Sequence, residues 1–273
     1  MADGTTTSEQ VSARIDTTIP HSARMWDYWL GGKNYYEVDK AAGDQVRSIH
    51  PGILDYARAD RAFLGRAVTH LAGEAGVRQF LDIGTGLPTS ENTHEVAQRI
   101  APDARIVYTD NDPIVLAHAR ALLTSTPEGA TAYIDADLHD PDAILREAAR
   151  TLDFTEPVAV MLLGIVMFVE ETDRARAIVR RLVDAVPPGS YLVLSHTITA
   201  PGLDDVDAAV EYWNSVGTPK LHQRTPEEVA RFFDGLELLE PGVVSCSRWR
   251  PEPSPSGELP DEVAFYCGVA RKP

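Results

Sequence analysis

Phe80-Leu81-Asp82-Ile83-Gly84-Thr85-Gly86-Leu87-Pro88 constrains the fold more than any other stretch of the chain. The apolar run 77–83 reads as a short buried strand. It breaks at Gly84-Thr85-Gly86, where side chains are nearly absent, and a helical pattern follows with Thr89 or Ser90 as N-cap and Glu91 in the first turn. Strand, glycine turn and helix together make a nucleotide-binding crossover, because glycine permits φ > 0 and lets a ligand approach the main chain. The turn is G-x-G only. Thr89 stands where a dinucleotide fingerprint has its third glycine. Asp82, just before the turn, would repel a pyrophosphate and suits a ligand with a cationic amino group.

A chain of 273 residues with 44% hydrophobic content can build one large α/β domain, or a domain plus a cap. Its net charge of −16 disfavours nucleic acid and anionic membrane as partners, since each phosphate contact needs a Lys or Arg. Cys246 and Cys267 are too few for a disulfide framework, and no Cys or His spacing suggests a metal. No secretory h-region is seen, and no apolar run approaches about eighteen residues. The expectation is a soluble, cytoplasmic protein.

In chain order, residues 1–18 are small and polar and read as a mobile tail. The segment 20–36 holds two of the four tryptophans and three of the nine tyrosines beside Gly31-Gly32. It reads as an N-terminal helix that either packs on the surface or acts as a lid, with the glycines as hinge. Residues 39–72 read as two helices separated at Pro51-Gly52. Arg58, Arg61 and Arg66 are assigned to a solvated face. The expected division is tail 1–18, helical lid or cap 19–72, and sheet domain 73–273.

Beyond the turn, strands are predicted over 105–110, 132–138, 157–164 and 190–196. Helices are predicted over 90–100, 114–123, 142–150 and 172–186. Asp110 ends the second strand, near the place where an acidic residue accepts both ribose hydroxyls; Asp112 can cap the next helix. Asp137 falls at the carboxyl end of the third strand. Helices follow over 204–212 and from a capping box at Thr225. Segments 236–239 and 243–249 suggest one late strand and 262–270 another, an antiparallel pair at the sheet edge, with both cysteines buried and reduced.

Phe80-Leu81-Asp82-Ile83-Gly84-Thr85-Gly86, Asp110 and Asp137 resemble the three cofactor loops of class I S-adenosylmethionine-dependent methyltransferases. Pro20-His21-Ser22-Ala23-Arg24, Gly31-Gly32-Lys33-Asn34-Tyr35, Arg61-Ala62-Phe63-Leu64 and Tyr108-Thr109-Asp110-Asn111-Asp112-Pro113 are similar to one actinobacterial subgroup, the S-adenosyl methyltransferase (DUF574) family. Asp60 stands where that family usually has Asn. The resemblance covers nearly the whole chain. It implies an α/β, Rossmann-like sheet of seven strands, mostly parallel, with an antiparallel last strand, to which the 19–72 segment adds the N-terminal helical lid expected from its composition. It places Gly84, Thr85 and Gly86 along the amino-acid part of the cofactor and Asp82 at its ammonium. Asp110 would take the ribose hydroxyls with Asn111 beside it, and Asp137 the adenine amino group with the Leu138 backbone nearby. Leu163 and Gly164 would line the mouth where the methyl points. Arg24 is expected at the cofactor carboxylate.

The function expected is methyl transfer from S-adenosylmethionine to a small molecule. The alternatives are a non-catalytic cofactor sensor and, lacking the third glycine, an NAD-dependent oxidoreductase. A general base is required only where the nucleophile must lose a proton. By position its candidates are His21, Tyr28, Tyr36 and His196, the last expected at the site rim.

Overall fold

The structure is a computed structural model that describes residues 15–89, 91–122, 124–252 and 257–273, without the side chains of 119–122. β1 (Gln79–Ile83) is buried at every position. It lies between β2 (Arg105–Asp110) and β4 (Ala159–Leu163), parallel to both. β3 (Ala130–Asp135) extends the sheet beyond β2, and β5 (Tyr191–Thr197) extends it beyond β4, again parallel. Helices on the sheet faces favour apolar central strands; β4 is apolar throughout, and β1 is so apart from the buried Gln79 and Asp82. β6 (Glu237–Leu238) and β7 (Val244–Ser245) both pair antiparallel with β8 (Phe265–Arg271), which is itself antiparallel to β5. The order β3-β2-β1-β4-β5-β8-β6 is the expected seven-strand path, with β7 attached to β8 beside it.

α1 (Ser22–Trp29), α2 (Glu37–Ile49) and α3 (Ile53–Gly73) precede the sheet. The crossovers carry α4 (Thr93–Ile100), α5 (Pro113–Leu122), α6 (Pro141–Ala148) and α7 (Thr172–Asp184); α8 (Asp204–Val216) and α9 (Pro226–Ala230) follow β5. Phe63, Ala67, Val68 and Leu71 of α3 are fully buried in the same cluster as Phe80 and Leu81 of β1. Residues 19–72 therefore share their core with the sheet, and α3 is one of the layers that covers it.

Several local expectations are corrected. The N-cap of α4 is Asn92, not Thr89, and Ser90 lies outside the described residues. The Glu95 carboxylate in turn accepts Asn92 N–H (2.8 Å), completing a capping box. Glu91 precedes the helix at φ 59°. The single late strand is two short ones, divided by a turn at Gly242 with φ +93°. Arg66 is not on a solvated face: it donates to Trp249 O (2.8 Å) and Cys246 O (2.6 Å) and ties α3 to the C-terminal segment. Cys246 and Cys267 are both buried and free. The tail up to residue 14 and the last residue of the expected 114–123 helix, Leu123, lie outside the described residues. Among the described residues no helix is long and apolar enough to cross a membrane, and no cluster of His, Cys, Asp and Glu could hold a metal ion.

Candidate active site

In an open parallel sheet, ligands bind beyond the carboxyl ends of the strands, where neighbouring crossovers diverge. Here β1 and β4 are neighbours whose connections leave in opposite directions, and a cavity opens at their ends. Its floor is Asp82, Gly84, Thr85 and Gly86 after β1, Asp110 and Asn111 after β2, and Leu163, Gly164 and Ile165 after β4. Its other walls come from α1 (His21, Ser22, Ala23, Trp26, Asp27) and α3 (Ala57, Asp60, Arg61, Leu64).

The glycine turn is held from below. Gly84 N–H donates to Thr109 O at 2.7 Å, and Gly86 N–H donates to Asp110 Oδ2 at 2.9 Å. Gly84 and Gly86 have φ of +74° and +64°. A Cβ on Gly84 would strike Ile165 Cγ1 at 2.4 Å, whereas one on Gly86 would meet nothing within 4 Å. Gly84 thus permits packing against the loop after β4, and Gly86 leaves the main chain open to a ligand.

Asp110 accepts Gly86 N–H on one oxygen and Asp112 N–H on the other (2.9 Å). Each oxygen retains a lone pair, enough for two hydroxyls of a diol. Burial raises its pKa, against these two hydrogen bonds. Asp112 caps α5 through Ile114 N–H (2.8 Å) and lies 3.0 Å from His21 Nδ1, so the cap and the diol-binding candidate are separate residues.

Asp82 and Asp60 form an acidic pair around Arg61. Burial raises each to a pKa of about 6. Thr93, whose hydroxyl donates to Asp82 Oδ2 at 2.6 Å, opposes this for Asp82; Ser195 opposes it for Asp60, and Arg61 opposes it for both. Burial lowers the Arg61 pKa, with Asp82 the leading opposing charge. Raised folded-state pKa values mean that the folded protein binds more protons than the unfolded chain between about pH 4 and 6. The contribution of these groups to stability is therefore full below the unfolded carboxylate pKa and is lost as pH rises through about 6. Asp82→Asn should gain stability relative to the parent as pH rises from 4 to 7, read by urea unfolding at each pH. A stability of the variant minus that of the parent which stays flat or falls over this range would contradict this environment.

Of the residues singled out from sequence, Asp82, Gly84, Thr85, Gly86, Asp110, Asn111, Leu163 and Gly164 share this cavity, and so does His21. Asp137 does not line it. β3 ends at Asp135 rather than 138, and Asp137 is exposed; it accepts His139 N–H (2.8 Å), and the Asn111 amide donates to it at 3.4 Å. It therefore stands at the rim, joined to the cavity by Asn111. Leu138 is buried in the core.

Arg24 is not at the cavity. Its guanidinium, 3% exposed, pairs with Asp39 at 2.9 Å and donates to Asp16 O and Ile19 O. Tyr28 donates to Asp44, and Tyr36 is the N-cap of α2. His196 is fully buried inside β5 rather than at a rim. Its Nδ1 is 2.6 Å from Thr197 O, and its Nε2 accepts from Arg224 at 2.8 Å. Burial holds its pKa down to about 3, so it stays neutral and orients Arg224.

The arginine that does line the cavity is Arg61, which also donates to Asn92 Oδ1 at 3.2 Å. The assignment to a solvated face missed it, although Arg61 lies four residues after Ala57 and three before Leu64, on the buried face of a helix. Asp27 was also missed. It is 2% exposed and accepts Asn34 N–H at 2.7 Å, and a Cβ on Gly32 would fall 2.2 Å from its carboxylate. The second glycine serves that close approach and not a hinge.

Residues 8–273 match the family described as S-adenosyl methyltransferase. A crystal structure of a DUF574 family protein from Streptomyces avermitilis MA-4680 is 49% identical, covers 95% of this chain and 100% of its own, and superposes with a TM-score of 0.91. A putative methyltransferase from Thermobifida fusca YX is 41% identical over 94% of this chain and 96% of its own, with a TM-score of 0.82. No curated protein matches. A match over almost the whole length, with the glycine turn and its carboxylates gathered in one cavity, makes the chain a member of the S-adenosyl methyltransferase family, whose methyl donor is S-adenosylmethionine.

Proposed function

We propose that the protein transfers a methyl group from S-adenosylmethionine to a small-molecule acceptor, with the cavity at the ends of β1, β2 and β4 as the cofactor site. The supporting observation is the donor set. Asp82 suits an ammonium, Arg61 a carboxylate and Asp110 a diol, while Asp137 with Asn111 at the rim suits an exocyclic amine. Four carboxylates and one arginine line the cavity, a poor site for the pyrophosphate of NAD.

The bound cofactor supplies the activated methyl group. The protein aligns the acceptor and excludes water, and α1 is placed for this, because Trp26 and Leu30 line the same cavity as Leu163 and Gly164. In this reading the 20–36 segment is a fixed roof, since Asp39 and Asp27 hold it through buried hydrogen bonds. His21, held by Asp112, is the general-base candidate that lines the cavity. The net charge of −16 supports a small acceptor over nucleic acid, and two buried free thiols suit a cytoplasmic setting.

A cofactor sensor would keep the same cavity, so transfer itself is the test. Incubation with methyl-labelled S-adenosylmethionine and a dialysable metabolite extract should move label into a small molecule. Label found only in protein or nucleic acid, or none transferred while the cofactor binds, would reject the small-molecule reading.

A further inference from the structure

A second cavity shares Ser22, Trp26 and Phe168 with the cofactor cavity. It lies between α1, the turn joining α2 to α3, and α8, and its lining is almost wholly apolar. Trp29, Tyr56 and Trp213 supply flat walls, so three of the four tryptophans border this one space. Trp26 is 6.1 Å from Tyr56 and 5.8 Å from Phe265, ring centroid to centroid. Phe265 Cζ lies 3.3 Å from the position of a Cβ on Gly164, which lines the cofactor cavity. The aromatic cluster is thus continuous from the second cavity to the end of β4.

Two polar features face this apolar space. The Thr197 hydroxyl is buried beside that of Tyr56, and His50 Nδ1 lies 2.6 Å from Asp205 Oδ2. Protein cores close gaps larger than a water molecule. A gap walled by aromatic faces, separated from the cofactor cavity only by the shared side chains of Ser22, Trp26 and Phe168 and carrying few polar groups, has the composition of a small-molecule site. Aromatic faces favour offset or edge contacts with another ring, which an aliphatic chain cannot return.

We propose that this cavity is the acceptor subsite and that it takes a flat, aromatic molecule bearing a single nucleophilic polar group, presented past Trp26 and Phe168. The assignment rests on the proposed methyl transfer in the adjoining cavity. The ring would lie among Trp26, Trp29 and Trp213, and the hydroxyl or amine would point toward Gly164.

The test uses 2-naphthol as aromatic probe and 1-octanol as aliphatic probe. Binding is followed by tryptophan fluorescence of the full chain with S-adenosylhomocysteine present, and cofactor affinity is measured separately by calorimetry. The wild type should bind 2-naphthol with quenching, and more tightly than octanol. Ala209→Phe, which fills the cavity from α8, should weaken 2-naphthol at least about tenfold and leave S-adenosylhomocysteine within about twofold. Should that variant fail to fold, Trp29→Ala should weaken 2-naphthol in the same way. Failure of 2-naphthol to bind a protein that binds S-adenosylhomocysteine would overturn the subsite alone, as would tighter octanol binding or unchanged affinity in Ala209→Phe. Binding of 2-naphthol without any S-adenosylhomocysteine binding would uphold the cavity and overturn the cofactor reading instead.

Discussion

Asp39→Ala is expected to cost about 3–5 kcal/mol of folding stability. The carboxylate is fully buried, and three hydrogen-bond donors converge on it. Oδ1 accepts His21 N–H (2.9 Å) and Arg24 Nε–H (3.0 Å), and Oδ2 accepts Tyr36 N–H (2.8 Å) and lies 2.9 Å from Arg24 Nε. Removing it leaves a 3% exposed guanidinium with only two backbone carbonyls and orphans two main-chain donors. A buried charge without its partner is far costlier than the pair is worth. The loss also reaches the site, because His21, Ser22 and Ala23 form one wall of the proposed cofactor cavity. Cofactor affinity should fall at least about tenfold, near 1.4 kcal/mol. Urea unfolding and calorimetry on the same preparation would read both. A stability change below about 1 kcal/mol, with unaltered affinity, would mean that α1 is held by other contacts.

Gly84→Ala is the second large effect, for a different reason. Its φ of +74° is left-handed, which costs a side chain about 1–2 kcal/mol. The new Cβ would also fall 2.4–2.7 Å from three atoms of Ile165, and overpacking of this kind costs about 1–3 kcal/mol more. Together these give a loss of roughly 2–5 kcal/mol. Ile165→Ala in the same chain should recover the steric part and leave the backbone part, a coupling that a double-mutant cycle reports directly. No coupling between the two positions would mean that the loop after β4 moves aside freely.

Much of the sheet was legible because β1, β2, β4 and β5 each carry an apolar stretch near turn residues, and burial on both faces favours that pattern. The glycine turn and Asp110 were legible because a strand end fixes where its next residues go. Asp137 was harder to place: β3 stops three residues earlier than the expected 132–138, so the carboxylate stands at the rim. Arg24 was misplaced since its partner, Asp39, is fifteen residues away on another helix, and a tertiary pair leaves no periodic trace. His196 was misjudged by position alone. It follows the strand pattern, but the pattern cannot say that Arg224 approaches from α9's leading loop and fills the space beside it. Arg61 and Asp60 could have been found, because helical phase puts them beside Ala57 and Leu64 on the inward face of α3.

The most direct measurement is calorimetry of S-adenosylhomocysteine and NAD with the wild type and with Asp110→Ala. S-adenosylhomocysteine should bind the wild type and NAD should not. Asp110→Ala should weaken S-adenosylhomocysteine by about 1.5–3 kcal/mol, the size of hydrogen bonds to a charged group. Tight NAD binding without S-adenosylhomocysteine binding, or an Asp110→Ala protein that binds S-adenosylhomocysteine as the wild type does, would contradict the assignment of this cavity.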